Sequence, residues 1–551
     1  MSSPPESPSD QVLIVSSDMK GARESHESLN VVGSGIQETE AQKLGPTSLA
    51  SFRLYLILLV PSMASACVGY NISVMSYANG MEQYLSYFGL DGQDSGGGVG
   101  TTTALIFGMY TIGICLAVLF AGPVCDRFGR RGGMFAGGLF GIVGSILLTV
   151  ARDTGYLKGG RFILGISTAL LETAAPMYVV EMSPPQWRGR LAGTFAAIAI
   201  LGSICGGIIT IFTGRLNTSA SWRVPFSVQI IPAAIVVFFA YLIPESPRWL
   251  TSVGRKDEAL LILSRYHGNG NVNAPLVVLE YEEFEESTKC DVSSKPWWNF
   301  IDLFRTRSMR YRSFMVILMA CCEQWSGSAL SSFIVVLLAN DHISTQTLRF
   351  ILGLVSNIVA ATGAFCGAVI SDKVGRRTLW FWGNVCCTIA LIISGACTAK
   401  WGAGGHNLDG SNTGIAFLFL FNFFFAATYL PLPAIYPSEC MAFDNRANGV
   451  ALYTFCASLA GLVGTYATPV ALEKIQWRLY LVFIAWNAFS SILIWLFAVE
   501  TAGRTLEELN VIFEDRHPVK ASSRQPGLTI TGRRPTLLNL VPVGRSKEAG
   551  A

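Results

Sequence analysis

The chain has 551 residues, of which 51% are hydrophobic and 14% are charged, and its formal net charge is +3. Soluble globular domains carry roughly 25% charged residues, so this chain has too little charge to cover a water-facing surface. Its apolar residues gather in stretches of about 20, the length at which a helix crosses a bilayer. The composition excludes an ordinary soluble domain and predicts an integral membrane protein.

The first 50 residues are rich in Ser, Pro, Glu and Gly, and they lack the basic segment and apolar core of a cleavable signal peptide. Such a composition cannot bury enough apolar surface to fold. We therefore predict that residues 1–50 form a disordered cytosolic tail.

Apolar runs separated by helix breakers then predict an all-α membrane protein with about twelve transmembrane helices in two six-helix pseudo-symmetric halves. The first half is 51–244, the central cytosolic loop with short helices is 245–310, the second half is 311–504, and 505–551 is a cytosolic tail. The predicted spans are 53–75, 100–122, 132–150, 159–181, 190–212, 224–244, 311–339, 348–370, 378–398, 413–436, 447–473 and 479–499.

Loop charge predicts the orientation. Lys and Arg crowd the loops after spans 2, 4, 6, 8 and 10, whereas the first loop on the other side, 76–99, has none and carries Glu82, Asp91 and Asp94. By the positive-inside rule, both termini are cytosolic. Asn217 begins an Asn-Thr-Ser sequon in an outer loop, so we predict that it is a glycosylation site.

Three charged motifs recur in the same order in both halves. Each half carries an acid followed by a Gly-Arg-Arg sequence, then a Glu seven residues before an Arg, then a Glu after its last span. The motifs begin at Asp126, Glu181 and Glu245 in the first half and at Asp372, Glu439 and Glu500 in the second, 246, 258 and 255 residues later. Two homologous six-helix halves, with substrate bound near the membrane midplane between them, are the simplest account.

Charged side chains at cytosolic helix ends are costly unless they pair. We predict two clusters that hold the halves together in the outward-open state and separate when the cytosolic side opens. The first contains Asp126, Arg130, Arg131, Glu181, Arg188, Glu245 and Arg248, and the second contains Asp372, Arg376, Arg377, Glu439, Arg446 and Glu500. Ordinary anchoring charges are the alternative, but anchors need no matched spacing.

Further short motifs lie at the ends of the predicted spans. They are GRF at 160–162, PMYVVE at 176–181, RG at 188–189, PESPRWL at 244–250 and ETAGRTLEE at 500–508. Together they resemble the signatures of the sugar porter family of the major facilitator superfamily. QWSG at 324–327 and YHGNG at 266–270 are similar to its fungal lactose and oligosaccharide permease branch. The resemblance implies a plasma-membrane secondary transporter that moves a mono- or oligosaccharide as a monomer.

One departure from the family bears on energy coupling. Proton-coupled members carry Asp in the first span where this chain has Asn71, which cannot titrate, and Arg161 matches the family Arg that faces this position. An Asn71–Arg161 hydrogen bond needs no proton cycle, so the resemblance favours uniport. Glu172 and Glu323 are the alternatives, since carboxylates at membrane depth are either proton carriers or hydrogen-bonded helix contacts.

The expected sugar site also departs from the family. Ala196 and Ala434 stand where many members have Gln and Trp, and Phe333 replaces a Tyr. Sugar sites need converging polar groups and aromatic faces. The predicted substrate-binding residues are Gln324 first, then Asn71 and Ser328, with Asn357 and Asn422 facing either the cavity or a neighbouring helix.

Other functions have little support in the sequence. The five His are scattered, the Cys residues form no C-x-x-C pair, and no G-x-x-x-x-G-K is present. We therefore expect no metal, no cofactor, no nucleic-acid partner and no enzymatic activity. A polyol, a quinate-like acid or a secondary metabolite remains the alternative cargo, and a non-transporting nutrient sensor is disfavoured by the short tail 505–551.

Overall fold

The structure is a computed structural model that describes residues 48–91, 97–292, 301–340, 345–401, 408–441, 445–502, 504 and 506–522. Every regular element in these ranges is a helix. Almost all of the predicted N-terminal tail lies outside the described residues, as does the chain after residue 522. The predicted disorder of the N-terminal tail therefore stays a prediction.

The helices are numbered here in chain order. They are α1 (Leu49–Ala78), α2 (Glu82–Phe88), α3 (Thr101–Thr149), α4 (Thr154–Met182), α5 (Arg188–Thr213), α6 (Ala220–Val228), α7 (Ile230–Ala240), α8 (Pro247–Ser252), α9 (Lys256–His267), α10 (Pro275–Val292), α11 (Asp302–Arg305), α12 (Arg307–Glu323), α13 (Ala329–Ser332), α14 (Ile334–Asn340), α15 (Gln346–Val374), α16 (Arg376–Trp401), α17 (Leu408–Tyr429), α18 (Leu432–Cys440), α19 (Arg446–Ile475), α20 (Leu479–Phe497), α21 (Leu506–Glu514) and α22 (Pro518–Ser522). A π-helical turn, Gln324–Ser328, lies between α12 and α13.

Within the described residues, nine helical stretches are long and apolar enough to cross a membrane. Two of them contain two predicted spans each, because α3 covers the second and third, and Asn448–Phe497 covers the eleventh and twelfth. The seventh predicted span is missing from the nine because the π-helical turn and a further break divide it into α12, α13 and α14. The twelve-helix prediction is therefore confirmed, with an interruption that hydropathy did not reveal.

Two glycines fix sharp changes of direction at corresponding places in the two halves. Gly129 has φ +80° inside α3, between the second and third spans. Gly375 has φ +95° between α15 and α16, after the eighth span. Residues with a Cβ atom rarely adopt this region, so the Gly of each Gly-Arg-Arg motif is required by the backbone.

The described chain forms two compact units, and the described part of the smaller one comprises 48–58, Glu181–Pro184 and 244–292. Its apolar core joins α9 and α10 through Leu260, Leu263, Val277 and Phe284. These helices lie in the stretch that the sequence predicted to be a central loop with short helices.

A buried histidine also holds this smaller unit together. His267, at the end of α9, has its Nδ1 atom 2.5 Å from Oε2 of Glu280 on α10, and both side chains are at most 2% exposed. Its Nε2 atom lies 3.0 Å from the carbonyl oxygen of Met182, the last residue of α4. A carbonyl oxygen only accepts hydrogen bonds, so Nε2 is the donor in that contact.

The larger unit contains the rest of the described chain, and its core draws on both predicted halves. One buried apolar cluster contains Val74 of α1 and Phe107 of α3, together with Phe333, Phe350 of α15 and Leu472 of α19. The cluster therefore joins first-half and second-half helices within one unit. Burial of apolar side chains stabilises a fold by roughly 25 cal/mol per Å², so these contacts stabilise the association of the two halves.

The chain beyond the last span forms two short helices, α21 and α22, that pack on the fold. Leu509, Ile512 and Phe513 of α21 and Ala521 of α22 are buried in a cluster that also contains Ile494 of α20. The sequence analysis placed these residues in a cytosolic tail, 505–551. The short apolar faces of α21 and α22 are what bring residues 506–522 onto the fold.

Candidate functional site

The break in the seventh predicted span carries the first predicted binding residue, Gln324. Gln324 begins the π-helical turn, and Gly327 within that turn has φ +111°. A Cβ atom built onto Gly461 of α19 would lie 3.0 Å from Oε1 of Gln324. The extra residue in a π-helical turn changes which way side chains point, and such turns are frequent at functional sites. Here the turn directs the amide of Gln324 toward α19.

Two helices hold this turn in place. The indole nitrogen of Trp325 donates to the carbonyl oxygen of Ala460 at 2.9 Å, and the Trp325 ring meets Trp486 edge-on at 5.0 Å. The amide of Asn487 on α20 donates to the carbonyl oxygen of Ser326 at 2.8 Å. Interrupted helices leave backbone carbonyls without their usual partners. Asn487, which the sequence analysis did not single out, satisfies one of them.

The other polar residues predicted in the second half are engaged with protein groups. Ser328 donates its hydroxyl to the carbonyl oxygen of Gln324 at 3.1 Å. Buried Asn422 accepts from Ser331 at 2.5 Å and donates to Ser356 at 2.7 Å, so it joins α13, α17 and α15. Asn357, beside Ser356, is half-buried. The structure thus places Gln324 and Ser328 on one turn and Asn422 in a helix-linking network.

Asn71 and Arg161 are both buried in the first half. The guanidinium of Arg161 lies 4.1 Å from the centre of the Tyr110 ring, a cation–π arrangement. The amide of Asn71 points to the sulfur of Cys67 at 3.9 Å, and its Oδ1 atom has no hydrogen-bond partner in the described part of the chain. A hydrogen bond between Asn71 and Arg161 is not among those that the structure describes.

The two membrane-depth carboxylates have different surroundings. The side chain of Glu172 on α4 is exposed. Glu323, immediately before the π-helical turn, is half-buried and accepts a short hydrogen bond from the hydroxyl of Tyr453 on α19. Tyr453 lies 130 residues away in the chain, so sequence spacing gave no signal for this contact.

The arginines of the two Gly-Arg-Arg motifs make equivalent contacts. Arg130 and Arg376 each donate to the carbonyl oxygen five residues earlier, in both cases at 3.1 Å. Arg131 donates to the carbonyl oxygen of Ile243 at 2.9 Å, and Arg377 donates to that of Trp495 at 2.8 Å. Each second arginine thereby reaches the end of the last span of its own half.

The acidic motifs repeat the same geometry through hydroxyl groups. Glu181 accepts from Ser246 at 2.5 Å, and Glu439 accepts from Thr501 at 2.5 Å. The backbone N–H groups of Ser246 and Thr501 donate to the preceding glutamates, Glu245 and Glu500, at 2.9 and 3.1 Å. In the sequence, a hydroxyl residue follows Glu245 in the first half and Glu500 in the second. This repeated pattern is the signal by which Ser246 and Thr501 could have been found.

Ion pairs complete both sets. Asp126 pairs with Arg130 at 3.4 Å in the first half, and Glu439 pairs with Arg376 at 3.2 Å in the second. The carboxylate of Glu500 also accepts from the backbone N–H of Arg376 at 2.8 Å. Each of these pairs joins residues of the same half. The residues of the two predicted charged clusters, together with Ser246 and Thr501, are called the two motif sets below.

The remaining predicted positions are placed as follows. Arg188 is half-buried at the start of α5, Arg248 is exposed on α8, and Asn217 is exposed between α5 and α6. Asp372 and Arg446 lie in α15 and α19, but their side chains are outside the described part of the structure. In the described residues, no group of three or more His, Cys, Asp or Glu side chains is arranged to hold a metal ion.

Comparison with known proteins identifies relatives along most of the chain. The model of the family described as "Sugar (and other) transporter" matches residues 57–513. The chain is 28% identical over 499 residues to the MFS glucose transporter mfs1 of Aspergillus flavus, covering 85% of this chain and 91% of the relative. It is 27% identical over 495 residues to a high-affinity glucose transporter of Kluyveromyces lactis, covering 85% and 86%.

The chain is also similar to a relative whose name states no cargo and to two solved structures. The chain is 26% identical over 466 residues to the MFS-type transporter criB of Aspergillus cristatus, covering 84% of this chain and 94% of that one. The inward-open Escherichia coli xylose transporter XylE matches with TM-score 0.68 and 20% identity, covering 84% of this chain and 100% of its own. XylE bound to 6-bromo-6-deoxy-D-glucose matches at 0.65 and 19%, covering 84% and 100%. These structural matches show the fold.

Proposed function

This chain belongs to the sugar transporter family, and on that basis we propose that it moves a sugar across a membrane by alternating access. Glucose is named as the cargo of two relatives aligned along most of their length, which supports a hexose before a polyol, a quinate-like acid or a secondary metabolite. The observation that carries the proposal is the π-helical turn that directs the amide of Gln324 toward α19.

We propose that Gln324 is the principal sugar contact. A primary amide both donates and accepts, which matches the paired hydroxyl groups of a sugar. Ser328, Asn422, Asn357 and Asn71 are the further proposed contacts. Ser328 and Asn422 already hydrogen-bond protein groups, so each would exchange a protein partner for a sugar hydroxyl.

The proposed coupling mode is uniport. Asn71 has no titratable group, and the guanidinium of Arg161 rests on the Tyr110 ring. Both facts support a first half that completes its cycle without binding a proton there. Glu172 and Glu323 are the proton carriers that would replace this arrangement.

We also propose that the two motif sets act at the cytosolic gate. Their internal contacts would keep the helix ends of each half together while one half moves against the other. The proposed orientation puts both termini in the cytosol, in agreement with the loop charges. The proposed location and state are the plasma membrane and the monomer, with exposed Asn217 glycosylated.

Uptake of labelled hexoses and disaccharides in transporter-null yeast cells tests the proposal. We expect hexose uptake that a protonophore does not abolish. Gln324→Ala should lower uptake at least tenfold at equal surface expression, and Gln324→Asn should retain part of it. Uptake that collapses with the protonophore would contradict uniport. If no tested sugar is taken up and none competes for uptake, the cargo assignment is contradicted.

A further inference from the structure

The start of α15 contacts the first half at the end of the molecule that the loop charges place outside the cell. Three α15 side chains take part, Gln346, Arg349 and Phe350. Their first-half partners are Tyr77, Glu82, Gln83 and Gly214, and these seven residues are called the outer lock below. Both groups belong to the larger compact unit.

The ion pair of the outer lock is asymmetric in burial. The guanidinium of Arg349 donates to Oε1 of Glu82 at 2.8 Å, with the Arg349 side chain 10% exposed and that of Glu82 67% exposed. A buried cation is costly unless an anion accompanies it. Movement of α2 away from α15 would therefore break this charge-assisted hydrogen bond and lose its stabilisation.

Gln346 joins three first-half groups through one amide. Its Oε1 atom accepts from the backbone N–H of Glu82 at 3.1 Å. Its Nε2 atom donates to the carbonyl oxygen of Gly214 at 3.0 Å and to Oε1 of Gln83 at 3.3 Å. The first N–H groups of a helix have no partner within it, so Gln346 satisfies the beginning of α2 from the opposite half.

Phe350 adds an apolar contact beside these polar ones. Its ring meets Tyr77 edge-on with centroids 5.7 Å apart. A Cβ atom built onto Gly214 would lie 2.6 Å from the Phe350 ring, so the glycine is what allows this close approach. Two further contacts continue the closure, Ser76 with the carbonyl oxygen of Ser332 at 2.5 Å, and Phe107 with Phe333 at 4.7 Å.

We propose that the outer lock is a latch that stabilises the state closed to the outside, and that its opening admits cargo from that side. Every contact in it joins a first-half group to a second-half group. Outward opening separates the halves at this end, so all of the contacts are lost together. The latch thereby sets the population of the outward-open state. This inference rests on the proposed alternating-access function.

Amide hydrogen exchange of the full chain in lipid nanodiscs tests the latch without any cargo. Arg349→Glu should accelerate exchange of residues 76–90 and 345–355 by about tenfold, because the loss of a charge-assisted hydrogen bond shifts a two-state equilibrium by at least that factor. The double variant Glu82→Arg, Arg349→Glu should restore the slow exchange. Arg215→Ala, which removes an exposed cation at the same end, should leave it unchanged.

A second variant covers the case in which Arg349→Glu does not fold. Gln346→Leu removes the three amide contacts without changing charge, and it should produce the same acceleration. The latch proposal would be overturned if amides in Gln346→Leu exchange at the wild-type rate. It would also be overturned if the charge-swapped double variant does not recover slow exchange.

Transport kinetics give an independent readout. Zero-trans uptake requires the empty carrier to open outward, whereas equilibrium exchange does not. If the latch slows the return of the empty carrier, Gln346→Leu should raise the maximal rate of zero-trans uptake several-fold relative to that of equilibrium exchange. An unchanged ratio in a transporting variant would overturn the proposal. If the wild type carries no sugar, the proposed function fails, and the hydrogen-exchange result still decides the latch.

Discussion

Gln324 and Gly461 form the contact on which the candidate site depends most directly. The Gln324 amide end is flexible, so a methyl group on Gly461, 3.0 Å from Oε1, would displace the amide without disrupting the helices. We therefore predict that Gly461→Ala raises the KM for sugar uptake about tenfold and leaves the Tm nearly unchanged.

Gly464→Ala is the matched control. A Cβ atom there would lie 3.5 Å from the backbone oxygen of Gln324, an ordinary contact distance. Its KM should remain near the wild-type value. Equal KM values for the two variants would contradict the assignment of Gln324 as a cargo contact.

The hydrogen bond from the Tyr453 hydroxyl to Glu323 gives a second test at the scale of single residues. Tyr453→Phe removes the donor to half-buried Glu323, and a lost hydrogen bond of this kind costs about 1–3 kcal/mol. Thermal unfolding should therefore begin at lower temperature. Tyr466→Phe changes an exposed ring on the same helix and should have no effect. A Tyr453→Phe variant as stable as the wild type would show that the contact contributes nothing.

Residue types with a distinctive chemistry could be singled out from the sequence, whereas their partners could not. Gln324 and Asn71 stood out through the resemblance to the sugar porters, and Glu323 stood out because ionisable groups are rare in apolar spans. Tyr453, Asn487 and Thr501 did not, because their contacts join positions 62 to 161 residues apart. Asn422 was left between cavity and packing, and the structure shows it bonded to two helices.

At the scale of elements, hydropathy located the spans but not the interruption in the seventh. Hydropathy averages over a window and carries no information about backbone hydrogen bonding. The π-helical turn follows from Gly327, whose φ of +111° suits glycine and few other residues. The short helices α21 and α22 were also missed, since single amphipathic turns give too weak a periodic signal.

The loop helices offer a test at this scale. His267→Ala leaves Glu280, whose side chain is 1% exposed, buried without its partner, a change that costs about 3–5 kcal/mol. We predict faster amide exchange and proteolysis within α9 and α10. His517→Ala alters an exposed histidine and should leave both unchanged. Unaltered protection in His267→Ala would contradict the role given to this pair.

The whole molecule is organised by its internal repeat, which the sequence revealed through motif spacing. The structure adds that the repeat extends to individual hydrogen bonds, since Glu181 with Ser246 and Glu439 with Thr501 have the same geometry. The predicted division into two six-helix halves rests on this repeat. How the halves move could not be predicted, because it depends on contacts such as those of the outer lock.

The repeat predicts equivalent effects of equivalent changes. Glu181→Gln and Glu439→Gln each weaken a charge-assisted hydrogen bond to a hydroxyl, by about 1.5–3 kcal/mol, and should lower the maximal uptake rate to a similar extent. Glu473→Gln changes an exposed carboxylate elsewhere and should not lower it. A defect in only one of the two variants would contradict the functional equivalence of the motif sets.

The central claim is sugar uniport by alternating access, and counterflow in proteoliposomes tests it most directly. The purified chain should equilibrate labelled hexose without an imposed proton gradient, and unlabelled hexose on the opposite side should accelerate labelled entry. Gln324→Ala should abolish both effects. Sugar entry that requires a proton gradient, or labelled entry that no sugar accelerates, would contradict the account.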